Sequence, residues 1–109
     1  MILSAPPKDE TIGTVVHGVS DPEGEHPEMI SCASCTTNCI APVVEVLSRK
    51  IGISKALMTT VNAYMASQKI VDSPSKKVKR GRAGAENLVP TSTGAAIATT
   101  KTLPEHEGK

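Results

Sequence analysis

Phenylalanine and tryptophan are absent from this chain, and Tyr64 is its single aromatic residue. Large rings supply much of the burial in ordinary cores, so any core here is aliphatic. No apolar run approaches the roughly 20 residues that a membrane-crossing helix needs, and Met1-Ile2-Leu3-Ser4-Ala5 is too short for the apolar part of a signal peptide. A charge excess is missing too. The formal net charge is +1, which argues for neither nucleic acid nor membrane as partner. There is no internal repeat and no low-complexity tract. Three cysteines, an odd number without a secretory signal, fit a reducing compartment such as the cytoplasm. At 109 residues the chain holds one domain at most.

What the chain does have is a cysteine set in small polar residues, Ser31-Cys32-Ala33-Ser34-Cys35-Thr36-Thr37-Asn38-Cys39. An amphipathic segment follows at once. Residues 36–50 place Ile40, Val43, Val44 and Leu47 at i, i+3, i+4 and i+7, which predicts a helix with that face buried. Arg49 and Lys50 suit its end and Gly52 its stop. Pro42 predicts either a bend or a regular helix beginning only near Ile40. Thr36 and Thr37 offer caps for the first turn. The unpaired N–H groups of a helix start favour an anion, and a thiolate is the nucleophilic form of cysteine. Cys35 is therefore the candidate nucleophile. Cys39, one turn in, reads as a small buried hydrophobe. The spacing C-x2-C-x3-C also suggests a metal or iron–sulfur site on Cys32, Cys35 and Cys39, but it has no fourth ligand nearby in sequence.

The remaining segments place these residues. Residues 1–4 form a short apolar strand stopped by Pro6 and Pro7. Residues 8–13 are turn-like, and residues 14–19 are β-branched and read as a strand that includes His17. Residues 20–28 form a solvated loop, in which Glu23 and Glu25 beside Gly24 offer a cation too few ligands. Residues 56–65 read as a strand with Thr60, Asn62 and Tyr64 on one face. Residues 67–86 form a basic loop whose only acids are Asp72 and Glu86. It lacks the interleaved aromatics that single-stranded nucleic-acid binding uses. Thr93 and Gly94 open a short helix that ends by Pro104. They form either a plain cap or an anion site.

Four of these stretches resemble, in order, the phosphorylating glyceraldehyde-3-phosphate dehydrogenase family. They are Ser34-Cys35-Thr36-Thr37-Asn38-Cys39, Thr59-Thr60-Val61-Asn62-Ala63-Tyr64, Arg80-Gly81-Arg82-Ala83 and Pro90-Thr91-Ser92-Thr93-Gly94-Ala95-Ala96. The resemblance covers essentially the whole chain, whereas the chain covers about a third of such an enzyme. It implies an α/β fold. Residues 1–33 would be the end of a Rossmann dinucleotide-binding domain. Residues 34–109 would be the first half of an α+β catalytic domain with a mixed or antiparallel sheet, entered by one helix starting at the cysteine.

The resemblance also implies roles. Cys35 would attack the aldehyde of glyceraldehyde 3-phosphate, and NAD or NADP would take the hydride. Inorganic phosphate would then cleave the thioester to 1,3-bisphosphoglycerate. Ser34, Thr36, Arg80, Thr93 and Gly94 would hold substrate or phosphate, and Ser4, Ala5 and Pro6 would lie near the cofactor. The loop 67–86 would pack near the cofactor and a neighbouring subunit of a cytoplasmic homotetramer. Two positions depart from the family pattern. Asn62 stands where the family has its histidine base, and Met65 where a threonine helps hold the substrate phosphate. Asparagine takes no proton at neutral pH but can donate to an oxyanion. Two other classes stay open: a truncated or degenerate non-catalytic relative acting as an interaction module, and a metal or redox protein on the three cysteines.

Overall fold

The computed structural model describes residues 1–9, 11–20 and 28–109. The predicted loop at residues 20–28, with its two carboxylates beside Gly24, lies almost wholly outside them. Two compact units emerge. One joins Met1–Met58 to Gly94–Lys109, and the other is Thr59–Thr93.

The first unit is built on three short parallel strands, β1 (Ile2–Leu3), β2 (Gly13–Thr14) and β3 (Ile30–Ser31), in the order β1-β3-β2. Ile2 and Gly13 both register with Ile30, and Leu3 and Thr14 with Ser31. Backbone bonds extend the pairing at both ends: Ile30 N donates to Met1 O, Cys32 N to Leu3 O and Val15 N to Ser31 O. The central strand β3 leads directly into helix α1 (Cys35–Ile51). In parallel sheets of this kind, ligands gather at the carboxyl ends of the strands.

Helix α1 runs through Pro42 as a single element that begins at the cysteine. Ser34, not Thr36 or Thr37, caps it: Ser34 Oγ accepts from Thr37 N at 3.1 Å. Gly52, at φ +77°, closes the far end and donates to Leu47 O and Ser48 O. The buried positions of α1 are Thr37 and Ala41, whereas Val43 and Leu47 of the expected face are exposed and Ile40 and Val44 half-buried. The reason lies in the partner. Helix α2 (Ala95–Thr102) packs on α1 and buries Ala95, Thr99 and Thr102. Small residues on both sides let two helix backbones approach closely, so the larger aliphatic side chains are turned away. Cys39 is exposed, not buried as its apolar neighbours suggested. The core is small, with Val16, Ala33 and Ala41 at its centre and Val19 against it.

Two predicted strands do not form as read. Within residues 14–19 only Thr14 belongs to a ladder. The chain then turns: Val19 N and Ser20 N both donate to Val16 O, and Gly18 takes φ +76°. Residues 56–65 make no strand, because no described segment supplies a ladder partner. A β-branched sequence favours a pleated surface only when another strand satisfies its backbone. The turn at residues 8–13 forms as expected, with Asp9 Oδ1 accepting from Thr11 N and Thr11 Oγ1 at 2.9 and 2.8 Å.

The second unit is a folded-back loop. Lys69 and Ala83 form an isolated bridge, and a 3₁₀ turn, Val78–Gly81, closes the far end.

Candidate active site

Cys35 is the first residue of α1, and three neighbours fix how it gets there. Ser31, fully buried on the central strand, donates from Oγ to Ala5 O at 2.7 Å and accepts Ala33 N at 3.0 Å. It thereby ties the end of β1 to the strand–helix turn. Ala33 makes that turn at φ +61°, a left-handed conformation uncommon for a residue with a Cβ. Asn38 Nδ2 then reaches back to Cys32 O at 2.6 Å and Ser34 O at 2.9 Å, clamping the approach to the first helical turn. The result exposes the Cys35 thiol where backbone N–H groups point outward. Its Sγ stands 3.9 Å from Thr36 Oγ1. Cys32 and Cys39 are also free and exposed. Among the described residues no three His, Cys, Asp or Glu side chains converge, so the metal reading of the cysteines finds no ligand set there.

The same unit holds a crevice of about 450 Å³ beside the ends of the strands. Pro6, Ile12, Ala33, Gly94, Ile97 and Lys101 are among its lining residues. It thus brings together Pro6, the turn before Cys35 and the start of α2. Gly94 is the N-cap of α2 and provides no side-chain cap. Ser4 and Ala5 lead from β1 toward Pro6.

The other expected site residues, Asn62, Met65, Arg80 and Thr93, belong to the second unit. Asn62 is exposed and donates from Nδ2 to Thr60 Oγ1 at 3.2 Å, a local contact in a segment that forms no strand. Met65 is exposed, and its backbone N–H is taken by Gln68 Oε1. Arg80 is half-buried in the 3₁₀ turn and donates from Nη1 to Ser67 Oγ. Its Nε is buried and has no partner among the described residues. Arg80 lines a pocket of about 280 Å³ with Lys77, Val78, Lys79, Pro90, Thr91 and Ser92. Three cationic residues and two hydroxyl residues beside an apolar part of the wall offer groups that an oxyanion can use. Asp72 stands nearby in sequence, but its carboxylate is engaged elsewhere. Ala83 N–H first and the Arg82 guanidinium second hold its pKa below the usual carboxylate value.

Known proteins match this chain closely. The family model described as "Glyceraldehyde 3-phosphate dehydrogenase, C-terminal domain" covers residues 34–109. The chain belongs to that family. Proteins named glyceraldehyde-3-phosphate dehydrogenase from Streptomyces coelicolor and Haloarcula vallismortis are 53% and 51% identical over the whole chain. Glyceraldehyde-3-phosphate dehydrogenase 1 of Bacillus subtilis is 50% identical over the same span. The chain spans about a third of the length of each of these relatives. Membership accounts for the order of the four sequence motifs. Sequence reasoning missed Ser31 and Asn38. Both were visible as polar residues in an otherwise small-residue stretch, but only the fold shows which backbone groups they tie.

Proposed function

We propose that this chain carries the nucleophile and phosphate-binding elements of a glyceraldehyde-3-phosphate dehydrogenase of central sugar-phosphate metabolism. The reading rests on one observation: Cys35, exposed, opens the helix that the central parallel strand delivers. Cys35 Sγ adds to the aldehyde carbon of glyceraldehyde 3-phosphate, giving a hemithioacetal. Backbone N–H groups of the first turn are the donors for its oxygen. A bound NAD or NADP would supply the hydride acceptor for that carbon. The crevice that Pro6, Ile12 and Ile97 share with Lys8, Asp9 and Lys101 offers the flat ring of such a cofactor an apolar wall with charged groups at hand. Loss of hydride and of the oxygen-bound proton leaves a thioester on Cys35. Inorganic phosphate held by Arg80, Thr93 and Gly94 attacks its carbonyl carbon, the S–C bond breaks, and the acyl phosphate departs. Ser34 and Thr36 serve the substrate beside the thiol. The full-length form is a cytoplasmic homotetramer in this reading, and the 109 residues alone are inactive.

Asn62 supports a second reading, that of a non-catalytic relative acting through its surface, because an amide replaces the family base. Intact-mass analysis separates the two. A hybrid carries these 109 residues in place of the corresponding third of the Streptomyces coelicolor relative. It is given glyceraldehyde 3-phosphate and NAD or NADP without inorganic phosphate. A phosphoglyceroyl adduct on Cys35, lost in Cys35→Ala, is expected. No adduct, or an adduct on Cys32 or Cys39, would contradict the proposal.

A further inference from the structure

Arg80 is carried by the 3₁₀ turn Val78–Gly81, and what fixes that turn comes from one facing limb, residues 67–73. Lys69 N donates to Arg80 O at 3.1 Å, Ser73 N to Gly81 O at 2.9 Å and Gly84 N to Lys69 O at 2.8 Å. Buried Gly81 permits this closeness, since a Cβ there would stand 2.4 Å from Ser73 O. These are backbone bonds, which many sequences could make. From the facing limb, the Ser67 and Asp72 side chains act across the same gap. Ser67 Oγ accepts Arg80 Nη1. Asp72 accepts Arg82 Nη1 on Oδ2 and Ala83 N on Oδ1, both at 2.7 Å.

The placement of Asp72 matters for an anion. A carboxylate on Arg80 itself would compete with an incoming phosphate for the guanidinium. Asp72 instead grips the two residues that follow the turn. Arg80 carries no carboxylate partner among the described residues: its Nη1 donates to Ser67 Oγ and its Nε is buried without a partner, while the residue lines the pocket with Lys77, Lys79, Thr91 and Ser92. We propose that Asp72 is a positioning residue for phosphate: by fastening Arg82 and Ala83 to the facing limb, it holds the turn so that Arg80 presents its guanidinium to the pocket. The inference rests on the reading of Arg80 as a phosphate-binding residue.

The sign of the effect separates positioning from plain electrostatics. Removing a negative charge from a basic loop should tighten anion binding on Coulombic grounds alone. Positioning demands the opposite. In the hybrid described above, calorimetry with inorganic phosphate measures binding without requiring turnover. Asp72→Ala is expected to weaken phosphate binding about three- to tenfold, the scale of one lost ordering hydrogen bond. The KM for phosphate should rise with it, while the KM for the aldehyde stays put. Asp72→Asn keeps an acceptor for Ala83 N–H without the charge and should recover most of the affinity. It also serves as the test if Asp72→Ala does not fold. Equal or tighter phosphate binding in Asp72→Ala, or tighter binding in Asp72→Asn than in the unsubstituted hybrid, would overturn the positioning role alone. An unsubstituted hybrid that binds no phosphate would overturn the Arg80 reading and this inference with it.

Discussion

Cys35 and Cys39 sit four residues apart on one helix, and both are exposed, yet the structure treats them differently. Cys35 stands at the first helical position, beside backbone N–H groups that have no intrahelical partner. Cys39 lies a turn further in, where those N–H groups are already bonded. Peptide mapping of the hybrid after brief iodoacetamide treatment should therefore find Cys35 modified well ahead of Cys32 and Cys39. Equal rates for all three would remove the helix-start argument. Asp72 supplies a second test at this scale. Its folded pKa is depressed by Ala83 N–H and Arg82. A depressed carboxylate stabilises the folded loop above its unfolded value and loses that stabilisation as pH falls through the folded value. Hydrogen-exchange protection of the Ala83 amide should thus hold down to about pH 4, near the ordinary Asp value, and drop below it. In Asp72→Asn the drop should be absent.

At the scale of elements, α1 and the first strand were legible and the later strands were not. The Gly52 stop of α1 and its basic last turn follow from local rules that need no partner, whereas Pro42 left its start open and only the family resemblance set it at the cysteine. Its buried face did not follow, since the period of apolar residues says nothing about how close α2 will come. Thr37 and Ala41 face inward because the facing helix also offers Ala95 and Thr99. Residues 56–65 look like a strand in isolation, but strand formation depends on a second segment that periodicity cannot reveal. The turn from β3 to α1 was hidden for another reason. A left-handed Ala33 held by Ser31 is a tertiary arrangement, and alanine carries no turn signal of its own. Gly52 gives the clearest energetic test of an element. It holds φ +77° with open space around its missing Cβ, so Gly52→Ala suffers backbone strain and no clash. The expected loss is about 1–2 kcal/mol, read as a lowered denaturation midpoint of the hybrid. An unchanged midpoint would show that the cap does not limit the helix.

For the whole molecule, the exposed apolar residues decide the behaviour. Val43, Val46, Leu47, Ile51 and Leu57 all face solvent in the first unit, around a core of only a few small side chains. A domain this short buries only about 60–70% of its unfolded surface even when complete. The isolated 109 residues should therefore melt broadly or aggregate, and a sharp cooperative transition of a dilute monomer would contradict this. In the proposed reading, activity needs the chain set in a longer frame, and Asn62 is the position that tests it. Positioned acid–base catalysis is worth about 10²–10⁴-fold, and asparagine supplies none. Met65→Thr should act mainly on the apparent affinity for the phosphorylated aldehyde. The most direct measurement is the pH–rate profile of the hybrid with and without Asn62→His. Slow turnover that rises toward alkaline pH is predicted for the hybrid as it stands, and Asn62→His should restore much of the rate and move the optimum down. A folded Asn62→His hybrid with an unchanged rate and profile would show that position 62 does not house the missing base, and that Cys35 is served by another group.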